Sequence, residues 1–217
     1  MHIRVPGHVL RRPISIAGFD ADQGTIRIIY EIRGEGTQIL ADYKAGDLID
    51  VLGPLGNGYT LPKEGSRVVV VGGGIGVPPL LPVAERFGAN AVAILGFRNA
   101  QAAILENDFK KTGANTLLCT DDGTYGRKGF VTAALEEHLE SERPDYICAC
   151  GPMVMLKKVT EIAMAHSIPC QISLEERMAC GVGACLGCAC KIRRNGEEVY
   201  LHVCKDGPVF SGEEVVF

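Results

Sequence analysis

A short run of cysteines near the C-terminal end holds the residues best suited to chemistry. Five of the nine cysteines lie between positions 180 and 204. Four of these have the spacing C-x4-C-x2-C-x15-C, which is close to the plant-type pattern for a [2Fe–2S] cluster: Cys180, Cys185, Cys188 and Cys204. Glycines between them let the backbone turn closely around an inorganic core and direct N–H groups at its sulfides. The pattern predicts a cluster site and one-electron chemistry.

Other uses of these cysteines remain open at this point. A structural zinc site also takes thiolates, although it usually uses two separated, short-spaced pairs of ligands. A disulfide framework is disfavoured because the cysteine count is odd, no secretory signal is expected and the chain is long enough to fold without cross-links. Cys190 stands in an alternating Ala-Cys-Lys-Ile stretch, which predicts a small buried side chain and not a ligand.

Composition limits the classes of partner. The chain has 217 residues, of which 47% are hydrophobic, so it can bury a sizeable core in two or three small domains. A formal net charge of −4 gives no reason to expect nucleic acid or an anionic membrane as a partner. No apolar run is long enough to cross a bilayer. Together with reduced thiols, this predicts a cytoplasmic protein.

Three regions follow one another along the chain, with predicted domains at 1–62, 63–168 and 169–217. The first region has short β-type runs between turn-forming residues: Ile14–Ile16, Thr25–Ile32 and Leu48–Leu52. The third region carries the cysteine segment and is predicted to form a small domain of its own.

The second region alternates apolar strands with helical stretches. The predicted strands are Arg67–Val71, Ala91–Gly96, Asn115–Cys119 and Asp145–Cys150. The predicted helices are Pro79–Phe87, Phe130–Glu140 and Met153–His166. This alternation is typical of a parallel sheet with helices on both faces, so the fold class is α/β plus all-β.

A glycine-rich turn opens the second region. Residues 72–76 read Gly-Gly-Gly-Ile-Gly directly after a buried strand and before a predicted helix, where a pyrophosphate can approach backbone N–H groups. The turn lacks the G-x-G-x-x-G fingerprint of ordinary dinucleotide-binding dehydrogenases. The last predicted strand of this region ends in Cys150-Gly151-Pro152, at the sheet edge where such folds bind ligands.

Two features of the first region suit a phosphate-bearing flat ring. Arg12, Pro13 and Ser15 place a guanidinium, a fixed backbone angle and a hydroxyl on adjoining positions. The stretch Gly34–Leu40 predicts a helix start with free N–H groups. Taken alone, both features also fit an ordinary edge strand and an ordinary capped helix.

The order of these motifs resembles the ferredoxin–NADP reductase superfamily. Within it, the chain is similar to the electron-transfer subunits of class 1B, NAD-dependent dihydroorotate dehydrogenases. The most specific stretches are Glu175–Cys188 and Val203–Phe210, and the resemblance covers essentially the whole chain. The family implies FAD in a β-barrel, NAD on an α/β domain, a C-terminal [2Fe–2S] domain and a role in pyrimidine (UMP) biosynthesis.

The resemblance also implies site residues. FAD would be held by Arg12, Pro13, Ile14, Ser15, Ile29, Tyr30, Glu31, Gly36 and Thr37. The nicotinamide nucleotide would be held by Gly73, Gly74, Gly76, Cys150, Gly151 and Pro152. The cluster would be ligated by Cys180, Cys185, Cys188 and Cys204. No residue is predicted to act as a general acid or base, because hydride transfer needs none.

The chain departs from the family pattern at one place. In the family, barrel strands and an approach segment such as Gly-Gln-Phe-Val normally come before the stretch His2–Gly7. We therefore expect either a truncated or misassigned start, or an incomplete barrel whose strand edges are exposed and whose hold on flavin is weakened.

The family implies a division of labour between two chains. Dihydroorotate would be oxidised at the FMN of a separate catalytic subunit, and electrons would pass through the cluster and FAD to NAD⁺ in a heterotetramer of two copies of each chain. An alternative is a diaphorase subunit of a hydrogenase or transhydrogenase-type complex with the same cofactors. Arg98 follows a strand and fits either a 2′-phosphate contact or a solvated side chain, although NAD is expected over NADP. Leu186 fits either a docking contact or a cover over the cluster.

Overall fold

The N-terminal region is built from short antiparallel strands. The computed structural model describes all residues, 1–217. The elements of this region are β1 His2–Ile3, β2 Arg12–Pro13, β3 Ile16–Asp20, β4 Thr25–Ile28, α1 Glu35–Ala41 and β5 Val51–Leu52. Strand β1 lies between β2 and β5 in a three-stranded sheet, and β3 pairs with β4 in a separate hairpin. The antiparallel part of the predicted fold is therefore two small sheets.

Strands and helices alternate through the middle of the chain. In order they are β6 Val68–Gly73, α2 Leu81–Phe87, β7 Ala91–Phe97, α3 Glu106–Lys111, β8 Asn115–Thr120, β9 Arg127–Lys128, α4 Val131–Ser141, β10 Tyr146–Cys150 and α5 Met153–Ala165. The remaining strands are β11 Cys170–Ser173, β12 Ala189–Arg194, β13 Glu197–His202 and β14 Val209–Ser211.

Seven of these strands form one sheet, in the order β14-β11-β10-β6-β7-β8-β9. Every neighbouring pair is parallel except β11 and β14. The predicted fold class is confirmed, because antiparallel sheets precede a mostly parallel one. The predicted domain boundaries remain predictions, but residues 170–173 and 209–211 of the third region complete the sheet of the second.

Alternation along β6 explains the two layers around this sheet. Val69 and Val71 belong to a core of 23 buried residues that includes apolar side chains of α4 and α5. Val68 and Val70 belong to a core of 16 buried residues that includes side chains of α2 and α3. Successive side chains of a strand point to opposite faces, so a continuous apolar run is what a sheet covered on both faces requires.

The predicted strands of the sheet agree with the structure to within two residues at each end. Predictions for the first region were poorer: the run at Thr25–Ile32 ends at Ile28, Leu48–Leu52 is paired only at Val51–Leu52, and Ile14–Ile16 falls between β2 and β3. In the middle of the chain, α3 and β9 were not predicted, and neither were β1 and the strands β11 to β14. None of the helices combines the length and the apolar character needed to cross a lipid bilayer.

Candidate cofactor sites

The four predicted cluster ligands come together as two pairs of thiols. Cys180 contacts Cys185, and Cys188 contacts Cys204, in each case by a side-chain hydrogen bond. No three His, Cys, Asp or Glu side chains are grouped around a single metal position. Two pairs suit a [2Fe–2S] cluster, since each of its two irons takes two protein ligands.

Backbone N–H groups point at the sulfurs, as a cluster of this kind requires. Gly183 N–H donates to Cys204 Sγ at 3.3 Å, and Ala184 N–H donates to Cys180 Sγ at 3.2 Å. Gly181 and Gly183 have φ angles of +75° and +74°, which other residues rarely adopt. These two glycines let residues 180–185 fold back over their own thiols.

The two pairs differ in exposure and in acidity. Hydrogen bonds from the backbone of Val182 and Cys185 lower the pKa of Cys180 to about 6, which favours the thiolate that binds iron. Burial, and then the contact with Cys188, raises the pKa of Cys204 to about 11. Cys188 and Cys204 are both buried, at 1% and 3% exposed. Metal binding would have to deprotonate Cys204.

Cys190 lies outside this arrangement. It is half-buried on β12, opposite Leu201 of β13, and packs against the larger core. Burial raises the pKa of its thiol to about 11. The side chain is therefore suited to packing, as the alternating sequence around it predicts.

The candidate flavin site centres on Arg12. Its guanidinium donates to the carbonyl of Leu10 at 2.6 Å and contacts His8 Nδ1 at 3.0 Å. The same group lies directly against Gly36, where any Cβ would overlap it. Thr37 Oγ1 accepts hydrogen bonds from the N–H groups of Arg33 and Gly34, at 2.9 and 3.2 Å. Arg12 and the start of α1, far apart in the sequence motifs, thus meet in one place.

The other predicted flavin residues surround the same small sheet. Ile14 and Tyr30 pack against a core formed by Ile3, Val5 and Leu40. Pro13 pairs with His2 across β1 and β2, Ser15 is exposed and Ile29 is half-buried. Glu31 is held in an ion pair with Arg33 at 2.7 Å.

The candidate nicotinamide site lies at the carboxyl edge of the seven-stranded sheet. A Cβ on Gly76 would overlap the carbonyl group of Cys150, and one on Gly151 would lie 3.0 Å from Gly73 N. The glycine-rich turn and the Cys-Gly-Pro turn are therefore in direct contact, at the place where parallel sheets bind nucleotides. Burial raises the pKa of Cys150 to about 11, so its thiol is uncharged near neutral pH.

The helix after the glycine-rich turn begins later than predicted. Gly74–Gly76 and Pro78–Leu80 form 3-10 turns, and α2 begins only at Leu81. Gly74 has a φ of +55° and no atom within 4 Å of its missing side chain, so the turn is open on its outer side. Pyrophosphate would meet these turns, and not the end of α2.

A link between the first region of the chain, which we call the flavin region, and the turn that carries Cys204 was not predicted. Asn57 Nδ2 donates to the carbonyls of Lys205 and Asp206, at 2.9 and 3.1 Å. Its backbone N–H donates to the carbonyl of Gly207 at 2.5 Å. The sequence marks the stretch around Asn57 only as a turn, because nothing local reveals a contact 148 residues away. The turn that carries Cys204 is thereby fixed to the end of the flavin region.

Family comparison agrees with the cysteine loop. Residues 175–216 match the family model described as the iron–sulfur cluster binding domain of dihydroorotate dehydrogenase B. The chain is 46% identical over 209 residues to the dihydroorotate dehydrogenase B (NAD(+)) electron transfer subunit of Caldanaerobacter subterraneus subsp. tengcongensis, covering 96% of this chain and 81% of that one. The subunit of the same name from Bacillus pumilus is 44% identical over 223 residues, covering 99% and 84%.

Solved structures agree with the fold. An NADH-dependent reduced ferredoxin–NADP oxidoreductase, described for flavin-based electron bifurcation, matches with a TM-score of 0.82 at 34% identity, covering 99% of this chain and 77% of that one. A cytochrome P450 reductase from Amycolatopsis matches with a TM-score of 0.64 at 26% identity, covering 76% and 55%.

These matches confirm the predicted cofactors, which are FAD, a [2Fe–2S] cluster and NAD. They also favour the dihydroorotate dehydrogenase subunit over a hydrogenase or transhydrogenase diaphorase. By its paired thiols, its two contacting nucleotide turns and its identity to these relatives over nearly its full length, the chain belongs to the family of electron transfer subunits of dihydroorotate dehydrogenase B.

Proposed function

We propose that this chain carries electrons from a dihydroorotate-oxidising catalytic subunit to NAD⁺. Its bound cofactors supply the conversion of single electrons into a two-electron hydride transfer. The chain's own residues bind these groups, set their spacing and keep water from them. Oxidation of dihydroorotate to orotate would occur only in the complex, which we expect to hold two copies of each subunit.

The strongest support for this proposal is the exposure of residues 178–190, which we call the cluster loop. Leu186 lies between two cluster cysteines and is 80% exposed, and Val182 in the same loop is 52% exposed. Of the two roles open for Leu186, this favours docking, because an apolar side chain with 80% exposure makes little contact with its own chain. Apolar side chains exposed beside a redox site suit a surface that a partner covers. We place the contact with the FMN-containing catalytic subunit at Met178–Cys190.

Residues of the two nucleotide sites act by charge and by close approach. The Arg12 guanidinium would pair with a flavin phosphate beside Gly36 and Thr37. The proposed FAD site consists of Arg12, Pro13, Ile14, Ser15, Ile29, Tyr30, Glu31, Gly36 and Thr37. The proposed NAD site consists of Gly73, Gly74, Gly76, Cys150, Gly151 and Pro152. In this second site, the glycines leave room for the nucleotide, and the half-buried Cys150 thiol adds no charge.

The surroundings of Arg98 support NAD over NADP. Asp121 and Asp122 follow β8, and the N–H of Asp122 donates to the carbonyl of Arg98 at 3.3 Å. Hydrogen bonds from Thr124 lower the pKa of Asp122, so its carboxylate is charged at neutral pH. Carboxylates on the turn after β8 disfavour a 2′-phosphate there and suit ribose hydroxyls.

Reconstitution tests the proposed division of labour. The holoprotein alone should reduce a dye with NADH and should leave dihydroorotate unchanged. Mixed with an FMN-containing dihydroorotate dehydrogenase subunit, it should couple dihydroorotate oxidation to NAD⁺ reduction. Dihydroorotate oxidation by this chain alone would contradict the proposal.

A pair of variants tests the docking surface. Leu186→Glu should abolish co-elution with the catalytic subunit while the iron content and NADH–dye activity stay at wild-type levels. Met164→Glu is the matched control, because Met164 is 57% exposed on α5 and lies outside the cluster loop. A complex that survives Leu186→Glu with its cluster intact would place the docking surface elsewhere.

A further inference from the structure

His2 lies at the junction of the flavin region and the cluster loop. It is the first residue of β1 and pairs with Pro13 of β2 on one side and Leu52 of β5 on the other. It is only 2% exposed, which is unusual for a histidine at the start of a two-residue strand. The side chain is held between elements and does not reach into solvent.

The His2 ring contacts residues on both sides of the first predicted cluster ligand, Cys180. Nε2 lies 3.4 Å from the sulfur of Met178. A Cβ on Gly181 would lie 2.8 Å from Nδ1, so the ring occupies the space that any side chain at 181 would need. Gly181 directly follows the predicted ligand Cys180. His2 is therefore in contact with both the flavin strand and the cluster loop.

The second ring nitrogen has nothing to bind within the protein. Nδ1 is fully buried and has no hydrogen-bond partner. Buried polar atoms are nearly always satisfied, so an orphaned one beside a cofactor loop indicates a group supplied by the cofactor. A thioether is a weak acceptor and does not hold the proton on Nε2. Thiolate and sulfide sulfurs are anionic, and they attract an N–H donor more strongly.

We propose that His2 is a positioning residue that couples the flavin strand to the cluster, with its Nδ1–H donating a hydrogen bond to a sulfur of the [2Fe–2S] site. This inference rests on the proposed cofactor sites. With both groups bound, the flavin would accept two electrons from NADH and the cluster would take them one at a time. His2 neither gains nor loses an electron, but it holds donor and acceptor at a fixed spacing and favours the reduced cluster.

If His2 had only a packing role, its variants would behave differently. Leucine is apolar and has a similar bulk, so it would fill the same space if His2 only separated two backbones. Ile3, the next residue of β1, provides the matched control because it points to the other face and packs with Val5 and Leu40, away from the cluster loop. His2→Asn keeps a donor near the Nδ1 position but removes the contact with Met178.

The test compares the holoprotein with the variants His2→Leu, His2→Asn and Ile3→Val. Stopped-flow mixing with NADH follows flavin and cluster bleaching separately, and EPR-monitored titration with dithionite gives the cluster's midpoint potential. We expect His2→Leu to slow cluster reduction by about tenfold or more and to lower the midpoint potential. Flavin bleaching and FAD content should be unchanged. His2→Asn should recover most of the potential, and Ile3→Val should match the wild type.

Wild-type rates and potential in His2→Leu would overturn the inference, and so would loss of iron from both His2 variants. Loss of iron from His2→Leu alone, with a normal cluster in His2→Asn, would support it. A wild-type protein without flavin or cluster signals would contradict the proposed function itself, so the two failures are distinguishable.

Discussion

The seven-stranded sheet and the flavin region are held together in different ways. The sheet is covered on both faces by cores of 23 and 16 buried residues. The flavin region has one core of three residues, and it exposes large apolar side chains such as Val9 at 99% and Leu48 at 95%. Since burial of apolar surface is the main source of stability, the sheet can stand by its own packing. The flavin region has much less internal packing.

The cluster site, formed by the cluster loop and the turn at Cys204, has one well-packed side and one side that is less packed. Its inner ligands, Cys188 and Cys204, belong to the larger core of the sheet. Its outer ligands, Cys180 and Cys185, are half-buried on a loop without regular secondary structure. The cluster site thus joins ligands that are packed into the core of the sheet to ligands that lie on an irregular loop. This places the electron path where the protein can hold one side firmly and present the other to a partner.

Loss of the cluster should have the largest effect. The effect should appear in the loop that carries the outer ligands and not in the sheet. Cys185→Ser removes an outer ligand, so we expect complete loss of the EPR signal of the reduced [2Fe–2S] centre and faster hydrogen exchange at residues 178–187. Exchange in β6 and β7 should not change. Cys190→Ser is the control and should keep the signal. A stoichiometric zinc content without iron in the wild type would contradict the cluster assignment.

Cavity formation should distinguish the sheet from the flavin region. Leu156 on α5 is 0% exposed in the larger core, so Leu156→Ala should lower the free energy of unfolding by about 3 kcal/mol. Leu48→Ala, in the flavin region, should change it by less than about 0.5 kcal/mol. Urea unfolding of the holoprotein provides the measurement. Equal losses for the two variants would mean that the flavin region is packed as firmly as the sheet.

Substitutions at two glycines test whether Arg12 belongs to the flavin site. Gly36→Ala places a methyl group on the Arg12 guanidinium, whereas the same change at Gly34 meets no atom within 4 Å. We expect Gly36→Ala to weaken FAD binding about tenfold, since displacing a charged donor costs roughly 1.5 kcal/mol. Gly34→Ala should bind FAD as the wild type does. Fluorescence titration of the apoprotein with FAD would measure both, and a normal affinity in Gly36→Ala would remove Arg12 from the site.

The smallest expected effect is at the nucleotide end of the sheet. Arg98→Ala should change the KM for NADH by less than about twofold, because the side chain is exposed. NADPH should remain the poorer substrate in dye reduction. Equal or better turnover with NADPH in the wild type would contradict the NAD preference.

Local patterns were enough to predict the sheet and the thiol ligands. Continuous apolar runs such as Val68–Val71 are typical of a strand that is covered on both faces. The predicted ends of these strands were within two residues of those observed. The six-residue helix α3 escaped prediction because Phe109 is its only buried side chain, which leaves no apolar period to detect. In the first region, strands such as Thr25–Ile28 have mostly exposed residues, so the pattern did not fix where they end.

Long-range contacts could not be predicted from the sequence. The pairing of β14 with β11, the hydrogen bonds from Asn57 to the Cys204 turn and the contact of His2 with Gly181 all join residues that are remote in the chain. Each depends on how the three regions pack, and one sequence contains no local signal for that packing. Cytoplasmic location and the heterotetramer likewise remain predictions.

Anaerobic titration of the isolated holoprotein with NADH tests whether electrons pass between the flavin and the cluster within this chain. We expect NADH to bleach the flavin and the EPR signal of the reduced cluster to appear in the same protein, without a catalytic subunit. Flavin that is reduced by NADH while the cluster stays oxidised, although dithionite can reduce it, would contradict a continuous electron path through this chain.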